Sequence, residues 1–198
     1  MMAVFARLLA RAASALAPAA LLFIAGCGQV AVVPDGAPTP DRFDLESRIA
    51  VRHESDGYSG SVRWSHGAER DVVELFTPTG GLHARLSRDP AGALMEMADG
   101  KRFQEADAGR LSRRLLGWEL PLDHMRHWLF ARAAPGLPAS EGETGPDGRP
   151  RSIRQGGWTV HYREYAPGGA GLPVRIEMEH PGLRVKLLVA RWRGDPMP

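Results

Sequence analysis

Apolar and polar side chains alternate along most of this chain, and this period of two restricts its possible folds more than any other feature. Phe43, Leu45, Ile49 and Val51 alternate with polar and charged residues. Successive side chains of a strand point to opposite faces of a sheet, so the pattern predicts a strand with one buried face. The alternation returns at residues 58–65, 72–76, 82–86, 93–97, 158–163, 174–179 and 183–189.

Turn signals separate these segments at short, regular intervals. Asp56-Gly57, His66-Gly67 and Gly80-Gly81 each lie between two alternating runs, and Asp99-Gly100, the clearest hairpin signal, lies between two short runs. Pairs of this kind supply the backbone conformations that tight turns need. Short strands in this order predict a mainly β, antiparallel barrel or strongly curved sheet rather than a parallel α/β fold.

The period changes from two to that of a helix at about residue 107. Asp107 is a suitable N-cap and Gly117 a suitable end for a first helix, and Pro121 suits the first turn of a second. One apolar face is predicted for each helix, by Leu111, Leu115 and Leu116 and by Leu122, Met125, Trp128 and Leu129. The sequence therefore predicts a helical insert at about 107–131 that lies against the sheet, followed by a polar loop at 135–150.

The amino terminus has the features of an export signal. Residues 1–11 are basic, residues 12–24 are apolar, and the run is too short for a comfortable transmembrane helix of about 20 residues. It ends in Ala25-Gly26 directly before Cys27, the only cysteine of the chain. This arrangement resembles the bacterial lipobox, which implies cleavage before Cys27 and its acylation. An ordinary signal peptide with an incidental cysteine is the alternative.

These features predict three regions. Residues 1–26 form a lipoprotein signal peptide, residues 27–41 an acylated amino terminus and Pro/Gly-rich tether, and residues 42–198 the folded domain. Gly28 follows the cysteine where many lipoproteins kept in the inner membrane have Asp, so the lipobox resemblance implies the outer membrane. Three acyl chains would make the anchoring effectively permanent.

Charge gives no support for nucleic-acid binding. The chain has 25 Lys plus Arg against 23 Asp plus Glu, and Arg7 and Arg11 of the signal account for the difference. A formally neutral domain has no broad basic surface for phosphate. A single cysteine also excludes an internal disulfide framework and a multi-cysteine metal site.

A search for catalytic motifs leads to the expectation that this chain is not an enzyme. The serine segment at 57–61 lacks the spacing of a nucleophile elbow, and His53-Glu54 lacks the second histidine of a zinc motif. Asp123, His124 and His127 could place two imidazoles together, but with no third ligand a solvated helix face is favoured over a metal site. We expect no catalytic residue, no metal and no cofactor.

Bulky apolar residues are in surplus at the alternating strand positions. They could form a filled core, or they could line a curved face that is open enough to hold hydrocarbon. Composition alone leaves both interpretations open.

The order and spacing of several phrases identify the chain as similar to the outer-membrane lipoprotein receptor family LolB. The resemblance covers nearly all of residues 48–192. The phrases are Arg48-Ile49-Ala50-Val51, Gly60-Ser61-Val62-Arg63-Trp64, Leu116-Gly117-Trp118-Glu119-Leu120-Pro121, Trp128-Leu129, Gln155-Gly156-Gly157-Trp158, Tyr162-Arg163-Glu164-Tyr165, Leu172-Pro173 and 183–187 with Trp192.

The resemblance implies an α+β, mainly β fold: an incomplete antiparallel barrel with a helical lid and a hydrophobic cavity, as in LolA and LolB. It implies a monomer on the periplasmic face of the outer membrane of a Gram-negative bacterium. There it would accept lipoproteins from the periplasmic carrier LolA and insert them into outer-membrane lipid. The candidate residues for the acyl-chain cavity are Trp64, Leu75, Met95, Met97, Leu116, Trp118, Met125, Trp128, Trp158, Tyr162, Met178 and Leu187.

One loop departs from the family pattern. The family carries an exposed bulky apolar residue on a protruding loop that assists membrane insertion, and the matching loop here is Thr77, Pro78, Thr79 and Gly80, followed by Gly81. Thr79 occupies the position where the family implies leucine. Either Phe76 or Leu82 replaces that residue, or insertion works differently. A lipid-binding or structural outer-membrane lipoprotein without transfer activity remains the alternative function.

Overall fold

A computed structural model describes residues 39–167 and 171–193. The predicted signal peptide, Cys27 and nearly all of the predicted tether lie outside the described residues. The elements are β1 (Phe43–His53), β2 (Asp56–His66), β3 (Asp71–Phe76), β4 (Leu82–Asp89), β5 (Gly92–Met97), β6 (Arg102–Glu105), α1 (Ala108–Leu116), α2 (Leu122–Trp128), β7 (Ala139–Glu141), β8 (Ser152–Gln155), β9 (Trp158–Tyr165), β10 (Pro173–His180) and β11 (Leu183–Arg193).

All the described strands belong to one antiparallel sheet. Its order is β6-β5-β4-β3-β2-β1-β11-β10-β9-β8-β7, so nearly every strand pairs with its neighbour in sequence. The exception is the pairing of β1 with β11, which joins the two ends of the domain. The edge strands β6 and β7 do not pair with each other within the described residues. The sheet is therefore an incomplete barrel with two helices, which confirms the predicted fold class.

Alternation along the strands gives the sheet two distinct faces. In β1 the side chains of Phe43, Leu45, Ile49 and Val51 are buried, while the residues between them are mostly exposed. We call the side that carries the buried residues the inner face and the opposite side the outer face. The inner face and the helices bury one continuous apolar cluster. No described helix is long and apolar enough to cross a membrane.

Two short strands, β7 and β8, were not predicted, and a third, β6, was implied only by the hairpin signal at Asp99-Gly100. β6 and β8 follow turn signals but have little alternation of their own, and β7 lies inside residues 135–150, where the sequence predicts only loop. The prediction of an uninterrupted loop is wrong at β7. These strands lie at or next to the edges of the sheet, and their pairing with a neighbouring strand, rather than their own composition, makes them strands.

The two helices begin and end close to where the residues predict. The Asp107 carboxylate accepts a hydrogen bond from the backbone N–H of Arg110 at 2.7 Å, and Gly117 ends α1 with a φ of 84°. Gly117 suits this left-handed position because it has no Cβ. Helix α1 contacts β4, β5 and β6. The end of α2 contacts β8 and β9 through Trp128, so the helical segment 107–131 bridges two distant parts of the sheet.

Candidate functional site

The twelve residues predicted to line a cavity all lie on the inner face or in the helical segment that covers it. Ten of them are buried members of the apolar cluster, and Met97 and Leu116 are partly buried against it. They come from both halves of the sheet and from the helical segment. Alternation brings the strand residues among them together, because each strand contributes its inward-facing residues to one surface.

Trp128 is at the centre of this arrangement. Its side chain is fully buried, and its ring centroid lies 5.8 Å from that of Trp158. The hydroxyl of Tyr162 donates a hydrogen bond of 2.9 Å to the Trp128 carbonyl. Burial raises the pKa of Tyr162 well above its usual value of 10.0, so the hydroxyl keeps the proton that it donates. The last turn of α2 is thereby attached to β9.

Gln155 makes a second attachment, which sequence reasoning missed. Its side-chain oxygen accepts hydrogen bonds from the Trp128 indole N–H at 2.9 Å and the Ala134 backbone N–H at 2.8 Å. Its amide donates to the carbonyls of Ala134 at 2.7 Å and Leu137 at 3.0 Å. We call these four bonds the Gln155 contacts. In the sequence, Gln155 is marked only as a polar residue directly before Gly156-Gly157. No local pattern predicts hydrogen-bond partners that are so distant in sequence.

The first turn of α2 is attached through Arg88 on β4. The guanidinium donates to Oδ2 of Asp71 at 2.6 and 3.0 Å and to Oδ1 of Asp123 at 2.8 Å. We call these bonds the Arg88 contacts. The Asp123 side chain is 71% exposed, whereas that of Asp71 is 3% exposed. The ion pair between Arg88 and Asp123 on the helix is therefore open to water, whereas Asp71, which holds Arg88 in the sheet, is buried.

Asp71 is held as a carboxylate by several donors. Burial raises its pKa, but hydrogen bonds from His66, Trp64 and Arg88, with the charge of Arg88, outweigh burial and hold the pKa below 3.8. The Trp64 indole N–H donates to Oδ1 at 2.8 Å, and His66 Nδ1 lies 2.7 Å from the same oxygen. A charged acceptor with this many donors is held rigidly, so Asp71 fixes the position of the Arg88 guanidinium.

His127 does not lie on a solvated helix face, contrary to the expectation for residues 123–127. Its Nδ1 lies 2.8 Å from the Thr39 hydroxyl, and its Nε2 is buried without a hydrogen-bond partner in the described part of the chain. Burial, then the charges of Arg126 and nearby groups, lowers its pKa to about 4. His124 instead stacks on Trp128 at 5.6 Å. The described residues contain no metal-binding cluster.

The loop between β3 and β4 is a compact, exposed turn. The backbone N–H of Thr77 donates to the Gly81 carbonyl at 2.8 Å, and the Thr77 hydroxyl accepts from the Gly81 N–H at 3.1 Å. The Thr79 hydroxyl lies 3.0 Å from that of Thr77, while Pro78 and Thr79 are exposed. Leu82, directly after the turn, is 36% exposed.

The fold and the site place this chain in a class of incomplete-barrel proteins. In this class a two-helix segment covers the apolar inner face of an open antiparallel sheet. The family model for the outer membrane lipoprotein LolB matches residues 41–192. The chain belongs to the LolB family, as its sequence phrases predicted.

Individual relatives agree with this membership. The chain is 35% identical over 176 residues to the outer-membrane lipoprotein LolB of Thiobacillus denitrificans, which covers 87% of this chain and 93% of the relative. It is 35% identical over 156 residues to that of Nitrosomonas europaea, with 77% and 73% covered. The crystal structure of a DUF1329 family protein from Desulfovibrio piger shares the fold alone, with a TM-score of 0.52, 7% identity and coverage of 79% and 87%.

Proposed function

We propose that this chain is an outer-membrane lipoprotein that accepts other lipoproteins from the periplasmic carrier LolA and inserts them into the outer membrane. Membership of the LolB family supports this role, since the relatives are named outer-membrane lipoproteins. The observation that carries the proposal is the apolar inner face of an open sheet under a helical segment that is attached at separate places. In this proposal the helical segment moves away from the sheet to admit the acyl chains.

The acyl chains of the cargo would lie between the inner face and the helices. Met95, Met97 and Met178 are unbranched and adapt to flexible chains, while Trp118, Trp128 and Trp158 supply large apolar area. Each methylene exposed to water costs about 0.8 kcal/mol, so passing chains from one apolar site to another avoids a large barrier. Direction then needs only a difference in affinity, since about 1.4 kcal/mol gives tenfold preference.

Transfer of a purified lipoprotein with a photoreactive acyl chain tests this proposal. LolA loaded with that cargo is mixed with the chain, irradiated, and the adducts are mapped by mass spectrometry. We expect adducts at Met97 on the inner face and at Leu116 on the helix that covers it, because both are only partly buried and can be reached first. Ser65 on the outer face is the matched position that should remain unlabelled.

The alternative function predicts a different result. A lipid-binding or structural lipoprotein would leave the cargo on LolA, and a shielded core would give no inner-face adduct. Either result would overturn the transfer proposal and favour the alternative function.

Cys27 would carry the anchor. Labelling with a fatty acid analogue should mark the wild-type chain and leave Cys27→Ala unmarked. Equal labelling of the two chains would show that Cys27 is not the lipid attachment site.

The turn at Thr77, Pro78, Thr79 and Gly80 would contact the membrane. Its exposed position supports this role, and Leu82 supplies the exposed apolar side chain beside it. In a liposome-insertion assay we expect Thr79→Leu to insert cargo at least as fast as wild type and Thr79→Glu to insert it more slowly. Identical insertion by both variants would remove the turn from the mechanism.

A further inference from the structure

The outer face carries a groove, lined in part by charged side chains, that the transfer of acyl chains does not use. Two adjoining depressions, of about 480 and 460 Å³, run across β1, β2 and β11 and meet at Ala50, Ser59 and Lys186. We call the two together the outer groove. It lies on the opposite side of the sheet from the apolar cluster, so it is a separate surface.

Strand register arranges cations around a small floor. Ala50 lies directly opposite Ser59 on β2 and Lys186 on β11. Arg48 and Arg52 flank Ala50 on the same face of β1, each about 7 Å away along the strand. Directly opposite residues lie about 5 Å apart. Because Ala50 and Ser59 have small side chains, they leave a space between the long side chains of Arg48, Arg52 and Lys186.

Two of these cations have no acidic partner. In the described part of the chain, neither Arg48 nor Arg52 has a carboxylate within 4.0 Å. The nearest acid along that face of β1, Glu46, faces Arg191 at 3.9 Å and Arg193 at 3.6 Å. Arg48 instead lies opposite Ser61 and Leu188. Its guanidinium is therefore free to bind an anion.

The position of Arg52 lowers the stability of the sheet. It lies directly opposite Arg184 on β11, and like charges in this relation destabilise a sheet. Arg184 is neutralised on its other side by Glu179 at 2.9 Å, but Arg52 has no such relief among the described residues. An anion bound between the strands would remove this repulsion.

The lining of the groove has more cations than carboxylates, although Arg175 is also paired with Glu164, which lies outside the lining, at 3.4 Å. Its charged members are Arg48, Arg52, Arg175, Arg184, Lys186 and a single carboxylate, Glu177. That carboxylate is already shared by Lys186 at 3.3 Å and Arg163 at 3.1 Å. Guanidinium groups with nearby hydroxyl donors match an anion that has several oxygens, such as a phosphate group.

Apolar neighbours indicate where this phosphate comes from. Leu188, which is 42% exposed, and Pro78 of the β3–β4 turn line the same groove. A surface that combines cations with exposed apolar groups fits the headgroup region of a membrane. We propose that the outer groove binds the phosphate of an anionic phospholipid in the membrane to which the chain is anchored. The choice of a lipid rests on the proposed function, because that function brings the turn to the membrane.

Photocrosslinking of the full chain tests this site. The chain, with p-benzoylphenylalanine in place of Ser61, is reconstituted by detergent removal into phosphatidylcholine vesicles with and without phosphatidylglycerol. We expect a phosphatidylglycerol adduct on irradiation, identified by its mass, and less of it at high salt because screening weakens the attraction. Each cation near an anionic surface changes binding about fivefold, so Arg48→Gln/Arg52→Gln should reduce the adduct by more than tenfold.

Two matched controls fix the location. Arg102→Gln removes one exposed cation from β6, far from the groove along the sheet, and should leave the adduct unchanged. The same crosslinker in place of Ser65, on the same face of β2, should give little phosphatidylglycerol adduct. Equal adducts at Ser61 and Ser65, or equal effects of the arginine variants, would overturn the proposal. An adduct with a protein instead of a lipid would also overturn it.

Cargo transfer, measured in the same vesicles, separates the two proposals. Cargo transfer into vesicles that contain phosphatidylglycerol, with no phosphatidylglycerol adduct at Ser61, would overturn the lipid site and leave the proposed function standing. An adduct at Ser61 without cargo transfer would overturn the proposed function and support the lipid site.

Discussion

The two ends of α2 are attached to the sheet by different kinds of contact. At its first turn, the Arg88 contacts reach Asp123, a side chain that is 71% exposed. At its last turn, the Gln155 contacts and the Tyr162 hydroxyl hold Trp128 by buried bonds. Exposed ion pairs contribute little to stability, whereas a buried polar group left without a partner is costly. We therefore expect the helical segment to open at its Asp123 end and to pivot at Trp128.

Gln155→Met should have the largest effect on stability. Methionine has a similar length but makes none of the four bonds, so polar groups of Trp128, Ala134 and Leu137 lose their partner. We expect a loss of about 3 kcal/mol or more in the free energy of unfolding, measured by urea denaturation. Arg154→Gln, at the exposed neighbouring position, is the control. Equal midpoints for the two variants would show that the Gln155 contacts are not the stronger attachment.

Tyr162→Phe should have the next largest effect. The ring and its packing remain, but the Trp128 carbonyl loses the hydroxyl that donates to it at 2.9 Å. We expect a loss of about 1–2 kcal/mol in the same denaturation measurement. His161→Gln, on the same strand but facing the other way, should change stability far less. A loss in His161→Gln as large as that in Tyr162→Phe would contradict the assignment.

His127 should make the helical segment sensitive to acid. Its pKa falls from 6.5 to about 4 on folding, so the unfolded chain binds a proton in that range more readily than the folded chain. The contribution of His127 is fully present above pH 6.5 and is lost as the pH falls towards 4. His127→Gln removes this titration and keeps a polar partner for Thr39.

Denaturation across that pH range checks the expectation. The variant should lose about 1 kcal/mol less stability than wild type, a figure that allows for the partial exposure of the site. His53→Gln, on β1, is the control. A variant curve parallel to wild type would show that His127 does not titrate in this way.

Asp123→Asn should change stability least and still alter motion. The exposed bond to Arg88 weakens, while the buried bonds of Arg88 to Asp71 remain. We expect a loss of under about 1 kcal/mol, with faster amide hydrogen exchange in the first turn of α2 and unchanged exchange at Ala134. Asp99→Asn, in the β5–β6 turn, is the control. Faster exchange at both ends of α2 would mean that the segment opens as one unit.

Local patterns predicted much of the fold. The alternation in β1 and β11, the Asp107 cap and the Gly117 end of α1 are decided by residues close in sequence. The inward residues of the candidate site followed from the same alternation. Strands β7 and β8 were missed because their pairing with neighbours, rather than their own periodicity, makes them strands.

The polar attachments of the helical segment could not be predicted in the same way. Gln155 lies 27 residues from Trp128 and Arg88 lies 35 residues from Asp123. No periodicity relates such positions. The order of the strands also placed Arg52 opposite Arg184, a neighbour relation that neither local segment contains.

Local sequence thus decided the elements, their caps and which side chains face inward, because strand alternation and helix capping depend on near neighbours. The prediction of lipid attachment at Cys27 likewise rests on the sequence alone. Only the tertiary structure decided how firmly each end of the helical segment is attached and where the cations of the outer face converge. Those properties depend on burial and on contacts between strands that are distant in sequence.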